Sequence, residues 1–339
     1  MACRGRARTD PPTARPSVTA LDRLRPGCDH PNRRDDLTDA SSTTRRARGR
    51  ERIVIVVTGA TGTVGARVVE GLRERGEAVR AVVRPGSKGL AEWGDDVERA
   101  EADFADPAAL DAALAGADTV YLLVAVHPEM AAHERNVIDA AVRTGRRPRI
   151  VLHAAAGVEQ RPEGVRFVGA HVAGLDHLRA SGLPWTVVAP NGFHQNFLGM
   201  AEAVRAGALA VPGGAGAVSY VDARDVAAAA VEVLAGAGHE GAVYTLTGPE
   251  ALTHGELAER LAAVVDRPVT YTAVPPEQAL AGMLAAGWQP WRAEGMVELY
   301  GLYAAGHASA VSPDVAGLTG RPPRSFAEFA AEHAAAFRG

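Results

Sequence analysis

The sequence predicts an α/β protein, a doubly wound parallel sheet with a smaller, mostly helical C-terminal lobe. Three observations predict it. From Arg52 onward, short β-branched runs alternate with helical patterns at the spacing of βαβ units. The first run, Ile53-Val54-Ile55-Val56-Val57, is continuously apolar, as a strand buried on both faces must be. A glycine-rich turn then leads directly into a helix.

The elements follow in order. After the first strand, a helix runs through Glu74, and residues 78–83 and 97–103 read as the second and third strands. Residues 107–114 form a helix with Pro107 in the tolerated first turn. A fourth strand at 118–126 precedes a helix at 129–143, and a fifth at 149–153 precedes a helix at 168–180. Residues 185–189 give a sixth strand. Beyond Pro190, residues 217–221, a helix from 222 to 234, and residues 242–246 are expected to return to the sheet. Residues 252–265, 269–273 and 275–303 complete the lobe.

Composition narrows the class. The 339 residues are 47% hydrophobic and 22% charged, with a formal net charge of −4. That is ample for a sizeable core and too mild for a nucleic-acid binder. Only Cys3 and Cys28 are present, which excludes a disulfide-built scaffold and a cysteine zinc site. No apolar run reaches the length of a membrane helix. Residues 1–50 carry twelve arginines against six aspartates and almost no periodic apolar pattern. They read as a disordered basic leader, either an arm for an acidic partner or an unstructured extension. No apolar segment follows the arginines, so the stretch is not read as a secretory signal. The expected organisation is this leader, a dinucleotide-binding domain at 51–190 joined again by 217–246, and a substrate-covering lobe at 191–216 and 247–339.

Gly59, Gly62 and Gly65 form G-x-x-G-x-x-G between a buried strand and a helix. The chain turns sharply at Gly59, backbone can approach a pyrophosphate there, and Gly65 lets the helix pack closely on the sheet. The helix N-terminus offers N–H groups and a positive dipole end. In this setting the pattern predicts a Rossmann-type dinucleotide site, with Thr61, Thr63 and Val64 completing the loop. An NAD site usually has a carboxylate after the second strand. Here Arg84 and Lys88 stand in that stretch without an acid, and they would neutralise a 2′-phosphate, so NADPH is expected over NADH. Asp103 and Phe104, after the third strand, are placed at the adenine edge and face.

Several longer pieces carry a family resemblance. They are Val57 to Gly65, Ala180-Ser181-Gly182-Leu183-Pro184-Trp185-Thr186, Asn191-Gly192-Phe193-His194-Gln195-Asn196-Phe197, and Tyr244-Thr245-Leu246-Thr247-Gly248-Pro249-Glu250. Leu318-Thr319-Gly320-Arg321-Pro322-Pro323 and Ser325-Phe326-Ala327-Glu328-Phe329 add the ending. Together they resemble the NmrA-like branch of the atypical short-chain dehydrogenase/reductases, including its NADPH-dependent quinone oxidoreductases. The resemblance runs from about Arg52 to the C-terminus.

Members with the usual reductase chemistry carry a serine after the fifth strand and Tyr-x-x-x-Lys on the next helix, the tyrosine protonating the carbonyl oxygen. Here the fifth strand ends His153-Ala154-Ala155-Ala156-Gly157, and the helix reads Phe167-Val168-Gly169-Ala170-His171. Phenylalanine replaces tyrosine and histidine replaces lysine. The resemblance implies that His171 faces the nicotinamide ribose, as a hydrogen-bond partner or as a proton donor.

His127, just past the fourth strand, is a candidate substrate contact at the carboxyl edge of the sheet. His153 reads as a strand-end residue beside the cofactor. The resemblance places Pro190, Asn191 and Phe193 against the nicotinamide, and His194 with them at the pocket mouth as a third candidate catalytic histidine. Trp288, Trp291, Met296, Tyr300 and Tyr303 are read as packing, with one or two touching substrate. No histidine–carboxylate pair has metal spacing, so no catalytic metal is expected.

The expected function is hydride transfer from NADPH to an activated small acceptor such as a quinone, enone or activated carbonyl. Such acceptors tolerate the missing tyrosine. A dinucleotide-binding sensor without turnover and a non-redox enzyme acting on a biosynthetic intermediate remain alternatives. The expected partner is a small molecule, with no nucleic acid and no membrane, for a monomer or homodimer in the cytoplasm.

Overall fold

The computed structural model describes residues 53–87, 93–94 and 96–339; the leader at 1–50 and Lys88 lie outside the described residues. Strand β1 (Val54–Val57) leads through the glycine turn into α1 (Gly65–Glu74). Then come β2 (Ala78–Val83), β3 (Val97–Glu101), α2 (Pro107–Leu114), β4 (Thr119–Leu122), α3 (Met130–Arg143), β5 (Arg149–His153), α4 (Arg166–Ala180) and β6 (Trp185–Pro190). The lobe adds a 3-10 turn at His194–Met200, α5 (Ala201–Arg205), β7 (Ala208–Val211) and β8 (Ala217–Val218). The chain continues through α6 (Ala223–Ala235), β9 (Val243–Leu246), β10 (Leu252–Thr253), α7 (His254–Val265), β11 (Thr270–Ala273), α8 (Pro276–Ala285) and α9 (Pro290–Ala304). Three short helices finish it, α10 (Asp314–Thr319), α11 (Phe326–Glu332) and α12 (Ala334–Arg338).

Seven strands form one parallel sheet in the order β3-β2-β1-β4-β5-β6-β9. Strand side chains alternate between two cores. Ile55, Val57, Tyr121 and Val188 pack with α1 and α6, whereas Val56, Val120, Leu122 and Val187 pack with α2, α3 and α4. Helices therefore cover both faces, and the β-branched runs are buried twice over. The order reverses between β1 and β4, and a crevice at the carboxyl ends of these two strands is where open α/β sheets bind ligands.

A third core lies in the lobe, built on Phe197, Leu257, Leu261, Tyr300, Phe326, Phe329 and Phe337. Two segments depart from the expected division. Ala217–Val218 does not join the main sheet; it pairs antiparallel with Leu252–Thr253, and only Val221 bridges back, to Phe193. The physical reason is that Val218 and Leu252 have lobe side chains to bury against. Conversely, Val315 and Leu318 on α10 pack into the core beneath α1 and α6. Asp314 fixes that segment, its Oδ2 accepting from Thr245 N at 2.8 Å.

The start of α6 holds the lobe in place. Buried Asp222 caps α6, accepting from Arg224 N at 2.8 Å, and Gln195 Nε2 donates to it at 3.0 Å. The Arg224 guanidinium pairs with it at 2.7 Å. Burial works against the charged form, but these hydrogen bonds prevail and hold the carboxyl at about 2. No described helix is long and apolar enough to cross a membrane.

Candidate functional site

The site is built where the strands end. Thr58 is buried, and its Oγ1 donates to the carbonyls of Tyr121 and Leu123 while accepting from Leu123 N at 2.8 Å. This ties the turn to β4 and sets the chain for Gly59, whose φ of +60° favours glycine. A Cβ at Gly59 would lie 2.8 Å from the Leu123 carbonyl oxygen, and one at Gly65 would collide with the Gly59 carbonyl. Gly62 N donates to that same carbonyl at 3.0 Å, closing the loop.

Thr61, Gly62 and Thr63 are exposed, whereas Val64 and Gly65 are buried. Helix α1 has no side-chain cap and no acid in its first turn. Ala66 N and Val68 N donate to Gly62 O and Val64 O, both at 3.0 Å, no side chain covers the N-terminal end, and the residues present fit a dinucleotide pyrophosphate.

Moving out along the edge, Arg84 follows β2, exposed, and no carboxylate pairs with it among the described residues. Asp103 is exposed and turns its own backbone, accepting from Ala105 N at 2.8 Å. Phe104 is half-buried, edge-on to His133 at 5.9 Å. His127 is exposed, stacks on His133 at 5.7 Å, and accepts from Glu129 N. It stands at the carboxyl edge, on the surface.

The inner end of the crevice holds two histidines. His153, at the end of β5, is buried, and its Nδ1 lies 2.7 Å from the Tyr121 hydroxyl. Burial, helped by the neighbouring His171, depresses the imidazole to about 3, while burial keeps the Tyr121 phenol protonated. The phenol therefore donates to Nδ1, and the proton of the neutral ring sits on Nε2. Phe193 lies over His153 with ring centroids 6.5 Å apart.

His171, on α4, is 6% exposed, and its Nδ1 stands 2.7 Å from Oε1 of a fully buried carboxylate, Glu134 on α3. Phe167, in the family's tyrosine position, packs on Trp291 at 5.3 Å, and a Cβ at Gly295 would run into its ring. It is a packing residue between α4 and α9.

Two expectations change here. His194 is 1% exposed and lies against Phe326 and Phe329 in the lobe core, not at a pocket mouth. Burial lowers it to about 4, so it stays neutral, and a ring sealed among aromatics cannot reach a substrate. Asn191 is committed to the fold. Its Nδ2 donates to Ser219 Oγ and Ala308 O, both at 2.9 Å, and its Oδ1 accepts from Gly192 N. Pro190, beside it, is buried in β6.

Tyr300 and Tyr303 are likewise buried in the lobe core, and Met296 packs against it. Trp288 remains over a third exposed under the Arg292 guanidinium. Among the described residues no group of three or more His, Cys, Asp or Glu could hold a metal ion.

Sequence reasoning missed Glu134 and Tyr121. Glu134 was recoverable, because it interrupts the buried stripe Met130, Val137, Ile138 and Ala141 of α3 at helical spacing. Tyr121 gave no such sign, since a tyrosine in a buried strand reads as core.

Residues 51–329 match the model of the NmrA-like family. The chain is 38% identical over 286 residues to the NAD(P)H azoreductase of Xenophilus azovorans, covering 84% of this chain and 99% of that protein. It is equally similar, with the same coverage, to the (4-alkanoyl-5-oxo-2,5-dihydrofuran-3-yl)methyl phosphate reductase of Streptomyces griseus. Among solved structures, the NADPH-dependent quinone oxidoreductase of Escherichia coli complexed with NADPH superposes with a TM-score of 0.76 at 29% identity, covering 82% of this chain and 99% of that one.

Proposed function

The chain belongs to the NmrA-like family, and on that premise we propose that it is an NADPH-dependent reductase passing hydride to a small, electronically activated acceptor. The observation that carries the reading is a complete glycine cradle beside a helix that presents Phe167 and His171 instead of a tyrosine and a lysine. The relatives' names point the same way. An azo compound, a quinone and a dihydrofuranone whose alkene carries two carbonyls on one carbon all spread incoming charge over a conjugated system.

The bound cofactor supplies the hydride, and the chain supplies placement. The loop from Gly59 to Gly65 and the start of α1 receive the pyrophosphate. Arg84 takes the 2′-phosphate, and Phe104 and Asp103 border the adenine. His153, with its proton on Nε2 and Phe193 stacked on its ring, and the neighbouring His171 stand at the nicotinamide end. With no tuned phenol beside the acceptor, the developing charge must be delocalised by the acceptor itself, its proton coming from water or His171. Residues 191–216 and 247–339, apart from α10, form the cover over the substrate, with His127 a candidate contact at the carboxyl edge of the sheet.

Purified protein is expected to oxidise NADPH with quinones, azo compounds and doubly activated alkenes, and negligibly with simple aliphatic ketones. Ready turnover of cyclohexanone, or tight NADPH binding with no acceptor reduced, would contradict the reading; the second result favours a sensor. Arg84→Ala is expected to weaken NADPH by about 1–3 kcal/mol, the range for a lost charge-assisted contact, and NADH far less. Equal losses for both cofactors, measured by titration calorimetry, would remove Arg84 from the 2′-phosphate site.

A further inference from the structure

Glu134 has no role in the scheme above, and its surroundings are costly. It is fully buried on α3, among Met130, Val137, Ile138 and Ala141. Its Oε1 meets His171 Nδ1 at 2.7 Å, while its Oε2 is buried without any hydrogen-bond partner. A buried carboxylate with half its acceptor capacity unmet is destabilising, and an apolar side chain would serve the helix pair better. The opposite helix also makes room for it: a Cβ at Gly174 on α4 would collide with Oε2. Two positions are thus given over to holding a carboxylate against one imidazole.

Joining the helices does not require this pair. A second carboxylate–histidine contact, Asp139 to His177 at 2.6 Å, already links α3 and α4 nearer to solvent. The apolar packing of Val137, Ile138, Leu175 and Leu178 completes the junction. What distinguishes the inner pair is its place. His171 neighbours His153, at the end of β5 and under Phe193, where the strands open onto the crevice.

We infer that Glu134 is a positioning residue for cofactor binding, fixing the ring of His171 through Nδ1–H and leaving Nε2 as the nitrogen that meets the nicotinamide ribose. The inference rests on the proposed placement of NADPH. An imidazole on a helix can otherwise rotate and exchange tautomers. A carboxylate acceptor at Nδ1 removes both freedoms, as the carboxylates behind metal-binding histidines do. Preorganising one hydrogen bond in this way lowers the entropic cost of binding.

The test is a double-mutant cycle read by NADPH binding, which needs no turnover. His171→Ala and Glu134→Ala are each expected to weaken NADPH about tenfold, as loss of one hydrogen bond would. Because Glu134 acts through His171, the double variant should be no weaker than His171→Ala alone. Glu134→Gln, whose amide oxygen still accepts from Nδ1–H, should recover to within about threefold of wild type.

Additive losses, or a Glu134→Gln variant as weak as Glu134→Ala, would overturn the inference. So would unchanged affinity in Glu134→Ala. If the variants fail to fold, nitrogen-15 NMR of the wild-type imidazoles decides: His171 must carry its proton on Nδ1, and a ring protonated only on Nε2 overturns the inference. Should the wild type not bind NADPH at all, the functional reading itself fails, an outcome separate from these.

Discussion

Lowering the pH from 6.5 to 4.5 is expected to cost the free protein about 6 kcal/mol of stability, about 2 kcal/mol from each of three buried histidines. His153 is depressed to about 3, and His194 and His254 to about 4, all chiefly by burial, against an ordinary value near 6.5. The unfolded chain takes up protons on these rings below pH 6.5, and the folded chain does not until about pH 4. Stability therefore rises with pH across this window and is lost as pH falls through it. Asp225 works in the opposite direction, since burial raises its carboxyl and its protonation favours the fold.

Each ring shows why it resists protonation. His254 is fully buried with Nε2 3.0 Å from the Tyr220 hydroxyl, its Nδ1 without a partner. Nδ1 of His194 is also unpartnered. Melting temperature measured against pH should fall by at least roughly 10 °C over the window for a chain of this size. His194→Gln should remove about a third of the slope. A flat profile between pH 6.5 and 4.5 would show that these rings are not sealed.

Gly65→Ala is expected to weaken NADPH about a hundredfold or more and to lower the melting temperature. The added Cβ collides with the Gly59 carbonyl, so the turn must open or α1 must move off the sheet. Either movement spoils the N–H cradle. Gly301→Ala is the control: it lies on α9, where a Cβ meets nothing within 4 Å, and should be neutral or slightly stabilising. Equal effects of the two substitutions would mean that the close approach at Gly65 has no bearing on binding.

The main sheet was legible because its strands are short, β-branched and separated by amphipathic helices, a pattern with one economical solution. Strands at 78–83 and 149–153 and the helix at 107–114 sit where the sequence places them. The edges of β4 were not legible, since Leu123 to Val126 is apolar yet leaves the sheet to reach Thr58 and the crevice.

The lobe was harder still. Its strands β8 and β10 are two residues long, and their pairing depends on what they bury, not on local pattern. In the site, glycine spacing fixed the loop because backbone approach tolerates nothing else. His194 and Asn191 misled for the opposite reason. A polar residue in a motif reads alike whether it faces a ligand or, as these do, an aromatic core and a backbone carbonyl.

The central claim is direct hydride transfer from NADPH to an activated acceptor in the crevice at the carboxyl ends of β1 and β4. The most direct measurement uses NADPH deuterated at the transferring face of C4 and an enone acceptor whose β-carbon keeps what it receives. The account predicts one deuterium at that carbon in the product, with no other redox cofactor added. NADPH oxidised without deuterium in the product, or no reduction with either face labelled, would contradict it.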